Sequence, residues 1–138
     1  MRHFESQIRL HKWHVDEAQR RLAELLRLED RLRDDHARLE AEQIAEQEVA
    51  AVSLEARLTY GAYAERLVER RHKLNRSIAE VVEQATQARE ALKDAFSVLK
   101  KFELAAEAAE ERVRRRRARR DQLQQDEVAI GIFRRRVE

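Results

Sequence analysis

The residues whose types and spacing suggest chemistry are concentrated in one arginine run near the C-terminus. Residues 111–120 contain seven arginines in ten positions. Guanidinium groups donate planar, bidentate hydrogen bonds to carboxylates and phosphates, so this run predicts contact with a partner. The residues that we expect to make this contact are Arg112, Arg114, Arg115, Arg116, Arg117, Arg119 and Arg120.

Four kinds of environment suit such a run. A nucleic-acid contact is disfavoured because no aromatic or amide side chains interleave the arginines to stack on bases or read them. A membrane-surface helix needs one apolar face and one basic face, whereas Arg114 to Arg117 cover every face. A solvated helix end and docking into a polar or acidic protein cavity both stay open. We therefore expect no nucleic acid and no direct membrane insertion.

Other residue types give little indication of a reaction. His11 and His14 lie three residues apart, but a zinc site needs three or four ligands. Carboxylates such as Asp34 and Asp35 are adjacent, so they point to different sides of a helix, and acid–base catalysis needs a pocket that shifts their pKa. The chain has no cysteine and no Gly-rich phosphate loop. We predict a protein that is not an enzyme and that has no metal or cofactor site.

The aromatic residues Trp13, Tyr60 and Tyr63 have two interpretations. They pack at the open end and at the bend of a helical pair, or they serve as anchors for a partner, since Trp and Tyr are enriched at binding hot spots. Packing is the favoured interpretation. In the second case Trp13 would join the arginine run in a binding end.

The composition indicates that long helices position these residues. Charged residues make up 41% of the chain, and two glycines and no prolines leave few residues for turns. Apolar residues recur at alternating steps of four and three from Leu74 to Val113, which is the period of a coiled-coil seam. We call the residues at these steps the seam. Its largest members are Leu74, Ile78, Val81, Leu92, Leu99, Phe102 and Val113.

The first half carries a weaker apolar stripe, in which Glu29 and His36 occupy positions that should be apolar. A change of register is predicted after Leu39, where Ala45, Val49, Val52 and Ala56 align better with one another than with the preceding stripe. The predicted core residues of this half are Ile8, Val15, Leu22, Leu25, Leu32 and Leu39.

Both halves have an apolar stripe and possible helix ends lie between them, which predicts a single antiparallel coiled-coil hairpin over residues 1–138. Ser53 can cap a helix and Gly61 can end one. We expect helix one over about 2–55, the bend within about 53–62 and helix two over about 63–130, with Gly131 ending it. Paired residue numbers should then add to roughly 115, which brings Trp13 near Phe102. The second helix should extend past the first as a basic end from about residue 112.

The formal net charge of +2 is unevenly distributed. Residues 1–52 carry nine basic and twelve acidic side chains, whereas residues 111–138 carry ten basic and five acidic ones. No apolar run is long enough for a signal peptide or a membrane span. We expect a cytoplasmic protein.

Several segments in this order and spacing resemble one branch of the flagellar FliJ family. They are Ile8-Arg9-Leu10-His11-Lys12-Trp13-His14-Val15-Asp16-Glu17, Arg20-Arg21-Leu22-Ala23-Glu24-Leu25, Tyr60-Gly61-Ala62-Tyr63, Leu74-Asn75-Arg76-Ser77-Ile78, Leu99-Lys100-Lys101-Phe102-Glu103 and Asp126-Glu127. The resemblance implies an antiparallel two-helix coiled coil in the cytoplasm, peripheral to the membrane export apparatus. It also implies a part in flagellar type III protein export, as a central stalk similar to that of rotary ATPases.

Three partners follow from the resemblance: the hexameric ring of the export ATPase, the cytoplasmic domain of the export gate, and export chaperones. The end that enters the ring would comprise residues 1–16 with about 113–138. No gate-contact residue is transferred from the family. The open alternatives are a homo-oligomeric structural coiled coil, the stalk of a virulence-type injectisome and, less favoured, a nucleic-acid binder.

Overall fold

Two long α-helices make up the described part of the chain. The computed structural model describes residues 2–137, with side chains from residue 4 onwards. Helix α1 spans Arg2–Val52 and α2 spans Leu54–Val137, and residues 2–137 contain no strand. The helices pack against each other, which confirms the predicted all-α hairpin of two helices. No helix in the described range is long and apolar enough to cross a bilayer.

Helix α2 is longer than the sequence indicated at both ends. It begins at Leu54 instead of near residue 63 and continues to Val137 instead of ending at about 130. Gly61 and Gly131 both lie inside it, and neither has a positive φ. The expectation that these glycines end helices is wrong, because glycine in a helix interior costs only about 1 kcal/mol relative to alanine. The other residues of this long helix stabilise it enough to offset that cost.

The break between the helices is a single residue, Ser53. The Ser53 amide donates to the Val49 carbonyl at 3.0 Å, and the Ser53 carbonyl accepts from the Arg57 amide at 3.1 Å. The Ser53 hydroxyl oxygen accepts from the Ala56 amide at 3.3 Å, which is the geometry of a helix N-cap. Ser53 thus ends one hydrogen-bond ladder and begins the next.

Arg57 supplies the other half of this junction. A helix leaves its last carbonyl groups without intrahelical partners. The Arg57 side chain donates from Nε to the Ala50 carbonyl and from Nη2 to the Ala51 carbonyl, both at 3.3 Å. One side chain from the first turn of α2 therefore caps the end of α1, and Ser53 caps the start of α2.

By their contacts, the residues form two compact units. The bend unit comprises residues 16–94 and contains Ser53. The terminal unit comprises residues 1–15 and 95–138, and it therefore contains the start of α1 and the end of α2.

In the bend unit the core follows the seam. Leu25, Ala85 and Ala88 form a buried cluster, against which Leu22 and Leu26 pack. Small alanines on α2 opposite leucines on α1 let the two helices interlock. The other buried apolar side chains of this unit are those of Leu39, Ala50, Leu67 and Val81, and half-buried seam positions are Leu32, Leu74, Ile78 and Leu92.

The α1 seam keeps its register to the end of the helix, so the predicted change of register after Leu39 is wrong. Ala50 is buried, whereas Val49 and Val52 are exposed. Steps of four, three and four from Leu39 lead through Gln43 and Glu46 to Ala50. Both intervening positions are polar, and the partner of Gln43 across the interface is polar too.

That partner is Arg71, which occupies the α2 seam between Leu67 and Leu74. Its Nη2 donates to the Gln43 side-chain oxygen, and both residues are half-buried. Beside them Arg70 forms an ion pair with Glu42 at 3.6 Å. We call Gln43 and Arg71 the polar layer. A single polar layer inside a coiled coil is a recognised means of fixing register.

In the terminal unit the packing residues are Val15 and Leu99, which are buried, and half-buried Ile8. The Phe102 ring stacks on His11 with centroids 4.6 Å apart and an interplanar angle of 19°. The sequence placed Trp13 near Phe102, but Trp13 is 56% exposed. Steps of three and four run from Ile8 through His11 to Val15, so Trp13 points away from the seam.

Candidate functional site

The arginine run lies on the part of α2 that no other described element covers. We call residues 112–137 the basic end. Every residue from 112 to 130 is exposed, including Val113, which the sequence assigned to the core. Residues just before this segment, such as Ala106 and Ala109, are half-buried. Val113 loses its packing because α1 has reached its first residues at this level of the terminal unit.

The basic end stays helical through local interactions. Glu111 accepts from Arg114 at 3.0 Å and from Arg115 at 3.2 Å, one helical turn away. Gln122 donates to Asp126 at 3.2 Å. Arginines occupy the last turn of α2, where cations interact favourably with the helix dipole. The backbone is thus ordered without a tertiary contact, and it holds the arginines at fixed angular positions.

Charge is densest over residues 112–120. Arg114 and Arg115 pair with Glu111, but Arg116, Arg117 and Arg119 form no ion pair within 4 Å among the described residues. Consecutive residues of a helix are about 100° apart, so these guanidinium groups point in all directions. The run therefore presents unpaired cations on every side, which suits an environment that surrounds the helix.

Trp13 does not join the arginine run into one cluster. Its ring meets His14 edge-on at 5.3 Å, and no hydrogen bond or ring contact links it to the arginines in the described chain. With more than half of its surface exposed, it is available as an anchor rather than as a packing residue. The structure therefore disagrees with the favoured packing interpretation of Trp13.

Sequence reasoning missed an apolar stripe on the basic end. Counting on from Val113 by three and four leads to Arg116, Arg120, Leu123, Glu127, Ile130, Arg134 and Val137. The seam therefore resumes in its own register after two arginines. We call Leu123, Ile130 and Val137 the resumed stripe, and Phe133 lies beside it. A continued count past the arginines would have found it.

A second exposed surface lies at the junction of the helices in the bend unit. Val52, Leu54 and Leu58 are 88%, 70% and 78% exposed. Contiguous exposed apolar residues mark interaction sites more often than isolated ones do. We call these three residues the apolar tip. Tyr60 and Tyr63 follow it, with ring centroids 6.1 Å apart.

Tyr63, beside the apolar tip, has a phenol whose pKa is raised. Desolvation raises the pKa of its phenol, and the carboxylates of Glu42 and Glu46 raise it further, while Arg70 lowers it. The tyrosine therefore stays protonated to a higher pH than a free phenol. This environment is suited to packing at the bend.

Metal-binding geometry is not formed by the described residues. His11 and His14 have ring centroids 5.6 Å apart, but no group of three or more His, Asp or Glu side chains is arranged to hold an ion in this part of the chain. The exposed surfaces described above are suited to binding other macromolecules.

Comparison with known proteins gives one result. No curated protein and no solved structure matches the chain. The family described as flagellar FliJ protein matches residues 1–138, the whole chain, and a match of this length agrees with the two-helix fold and with the segments that the sequence shares with that family. On these grounds the chain belongs to the flagellar FliJ family and is a flagellar, export-related protein.

Proposed function

We propose that this protein is a non-enzymatic central stalk of the flagellar type III export apparatus. It lies in the cytoplasm, peripheral to the membrane part of that apparatus. Its basic end enters the hexameric ring of the export ATPase, promotes assembly of the ring and couples it to the export gate. Contacts with export chaperones complete the role. The family match is the basis for the flagellar export system. The structural observations below support the proposed role as a stalk.

The basic end is the observation that supports ring entry. It is a helix that is exposed on all sides, and its arginines point in every direction. A pore formed by six identical subunits presents the same polar groups all round, and an asymmetric helix fits it only loosely. Long-range attraction between opposite charges does not require close fit. The arginine run can therefore bind an acidic pore without a unique docked orientation.

The apolar tip supports a linking role. It lies at the junction of α1 and α2, whereas the basic end is formed by the last residues of α2. A protein that connects a ring to a gate needs two separate binding surfaces. We propose that the apolar tip is a further contact point, for the gate or for chaperones.

The test is a titration of the purified export ATPase with this protein, followed by ATP hydrolysis and by co-sedimentation. We expect the wild-type chain to bind and to raise hydrolysis. Replacement of Arg114 to Arg117 by alanine should weaken binding about tenfold or more at low salt, because four contacts of about 0.5 kcal/mol each total about 2 kcal/mol, more than the 1.4 kcal/mol of a tenfold change. Helicity and thermal unfolding should hardly change, since these side chains are exposed.

A matched control removes four exposed arginines from α1 in the bend unit: Arg20, Arg21, Arg27 and Arg31. It has the same total charge as the test variant and should bind like the wild-type chain. Equal weakening in the two variants would show that net charge alone drives binding. The absence of any complex or stimulation with the wild-type chain would refute the proposed function. An obligate dimer in light scattering would favour a structural homo-oligomer instead.

A further inference from the structure

The resumed stripe continues an interface that the structure already shows. In the terminal unit the α2 seam passes through Leu99, which is buried, and Phe102, which stacks on His11. It then reaches the basic end without a change of register and without a break in the helix. The same face of α2 that packs on α1 is thus apolar again at Leu123 and Ile130. At these two residues no described segment of the chain covers it.

Exposure shows that the stripe lacks a partner. Leu123 and Ile130 are 59% and 52% exposed, and Phe133 and Val137 are more exposed still. Seam positions pack by inserting side chains between those of a facing helix. A face with this spacing fits a second helix that takes the place that α1 takes earlier along α2.

The charges around the resumed stripe indicate the charge of that second helix. Four cations border or interrupt the resumed stripe, Arg116, Arg119, Arg120 and Arg134, and they outnumber the two carboxylates at it, Asp126 and Glu127. Arginines at and beside a seam pair with carboxylates of the facing helix. Residues 111–138 have ten basic and five acidic side chains, so a second copy of the basic end would be repelled.

We infer that the basic end packs its resumed stripe against an acidic amphipathic helix of a partner protein, as a continuation of the α1–α2 seam. This inference rests on the proposed function for the identity of the partner, and it names the chemistry of the contact. The arginines attract the partner from every side. The resumed stripe then selects one helix and fixes its position along α2.

The first experiment tests the contact without the ATPase. The probe is a fluorescent synthetic peptide of four heptads with Leu or Ile at the seam positions and Glu at the flanking positions, titrated with the full chain in an anisotropy assay. A second peptide has Lys in place of Glu. We expect saturable binding of the acidic peptide, at least about tenfold tighter than that of the basic one.

Two double variants locate the contact on the helix. Leu123→Ser with Ile130→Ser removes the resumed stripe, and Val128→Ser with Ile132→Ser is the matched control. Val128 lies about 200° around the helix from Ile130 and shares the opposite face with Ile132. The two pairs have similar exposure, at 59% and 52% against 62% and 47%.

We expect the first variant to lose at least about tenfold in affinity for the acidic peptide and the control to change less than about twofold. Circular dichroism should show equal helicity in both. Equal losses in the two variants, equal binding of the two peptides or no binding of the acidic peptide would overturn the inference. Self-association of the chain that the first variant abolishes would overturn it too, because the occupant would then be a second copy.

The same variants with the export ATPase separate this inference from the proposed function. If the acidic peptide binds through the resumed stripe but the ATPase does not bind the chain, the proposed function fails and the inference stands. If the ATPase binds wild type and both variants equally, the ring recognises the arginines alone, and the inference fails while the proposed function stands.

Discussion

The polar layer gives a prediction about stability. Arg71 is a half-buried cation in the seam, and its Nε is a buried donor for which no acceptor is found in the described chain. Its Nη2 donates to Gln43. Replacing both residues by leucine removes the unpaired donor and the hydrogen bond together, and it adds two apolar side chains to the interface. We expect Gln43→Leu with Arg71→Leu to stabilise the hairpin.

The magnitude follows from three contributions. An unsatisfied buried donor costs about 1–3 kcal/mol, and a hydrogen bond from a charged group contributes about 1.5–3 kcal/mol; these two roughly cancel. Full burial of a leucine contributes about 1.5–3 kcal/mol, so two half-buried leucines contribute about 2 kcal/mol. The aliphatic stem of Arg71 already supplies part of that packing. The expected net gain is therefore about 1 kcal/mol.

The assay is urea unfolding followed by circular dichroism at neutral pH for wild type, both single variants and the double variant. With a slope of about 1–3 kcal/mol per molar urea, the gain should raise the midpoint by about 0.5 M. Gln43→Leu alone should destabilise, since Arg71 then has no partner in the seam. The exposed ion pair of Glu69 with Lys73, at 3.7 Å, is the control, and replacing both by alanine should change stability by less than about 0.5 kcal/mol.

A double variant that is clearly less stable than wild type would refute this reasoning, because it would mean that the polar layer stabilises the native state outright. We also expect the double variant to be less specific in its helix register and in its choice of partner. With leucine at both positions of the polar layer, other registers and other partners become closer in free energy. Light scattering should therefore show more self-association in the double variant than in wild type.

Two further predictions concern the helix junction and the glycines. Ser53→Ala and Arg57→Ala each remove capping bonds, so each should lower the free energy of unfolding by about 1 kcal/mol, and the double variant should show a non-additive loss in the same urea assay. Gly61→Ala should raise it by about 0.5–1 kcal/mol, since a Cβ there meets nothing within 4 Å and φ is not positive. Gly131→Ala, on the basic end, should raise helicity without changing the unfolding midpoint.

The fold class could be predicted because seam spacing determines helix pairing. Apolar residues at every step from Leu74 to Leu99 lie on one face of a helix, and that face must be covered by a second helix. The chain contains no proline that would interrupt the helix. The position of the break could not be predicted in the same way. Serine caps many helices but also occurs inside them, and only the Arg57 contacts with the end of α1 make Ser53 the junction. Gly61 suggested a helix end because glycine is more common at helix ends than inside helices.

Pairwise effects account for the remaining errors. Gln43 interrupts the apolar spacing of α1, and only Arg71 on the other helix explains it, because a single stripe cannot show its partner. The sum of paired residue numbers places Trp13 near Phe102, yet helical phase places His11 there. The two features of the basic end differ in how easily the sequence reveals them. The arginine run is evident from composition, whereas the resumed stripe is found only when the α2 seam is counted beyond Val113.

The single-residue junction at Ser53 also has a consequence for the order of folding. The Gln43–Arg71 contact closes a loop of 28 residues, whereas the His11–Phe102 contact closes a loop about three times as long. Loop closure becomes more costly with length, here by about 1 kcal/mol. Pairing should therefore begin beside Ser53 and extend outwards, and pulsed hydrogen exchange should protect the bend unit first. During synthesis the start of α1 must wait, unpaired, until residues beyond 95 have emerged from the ribosome.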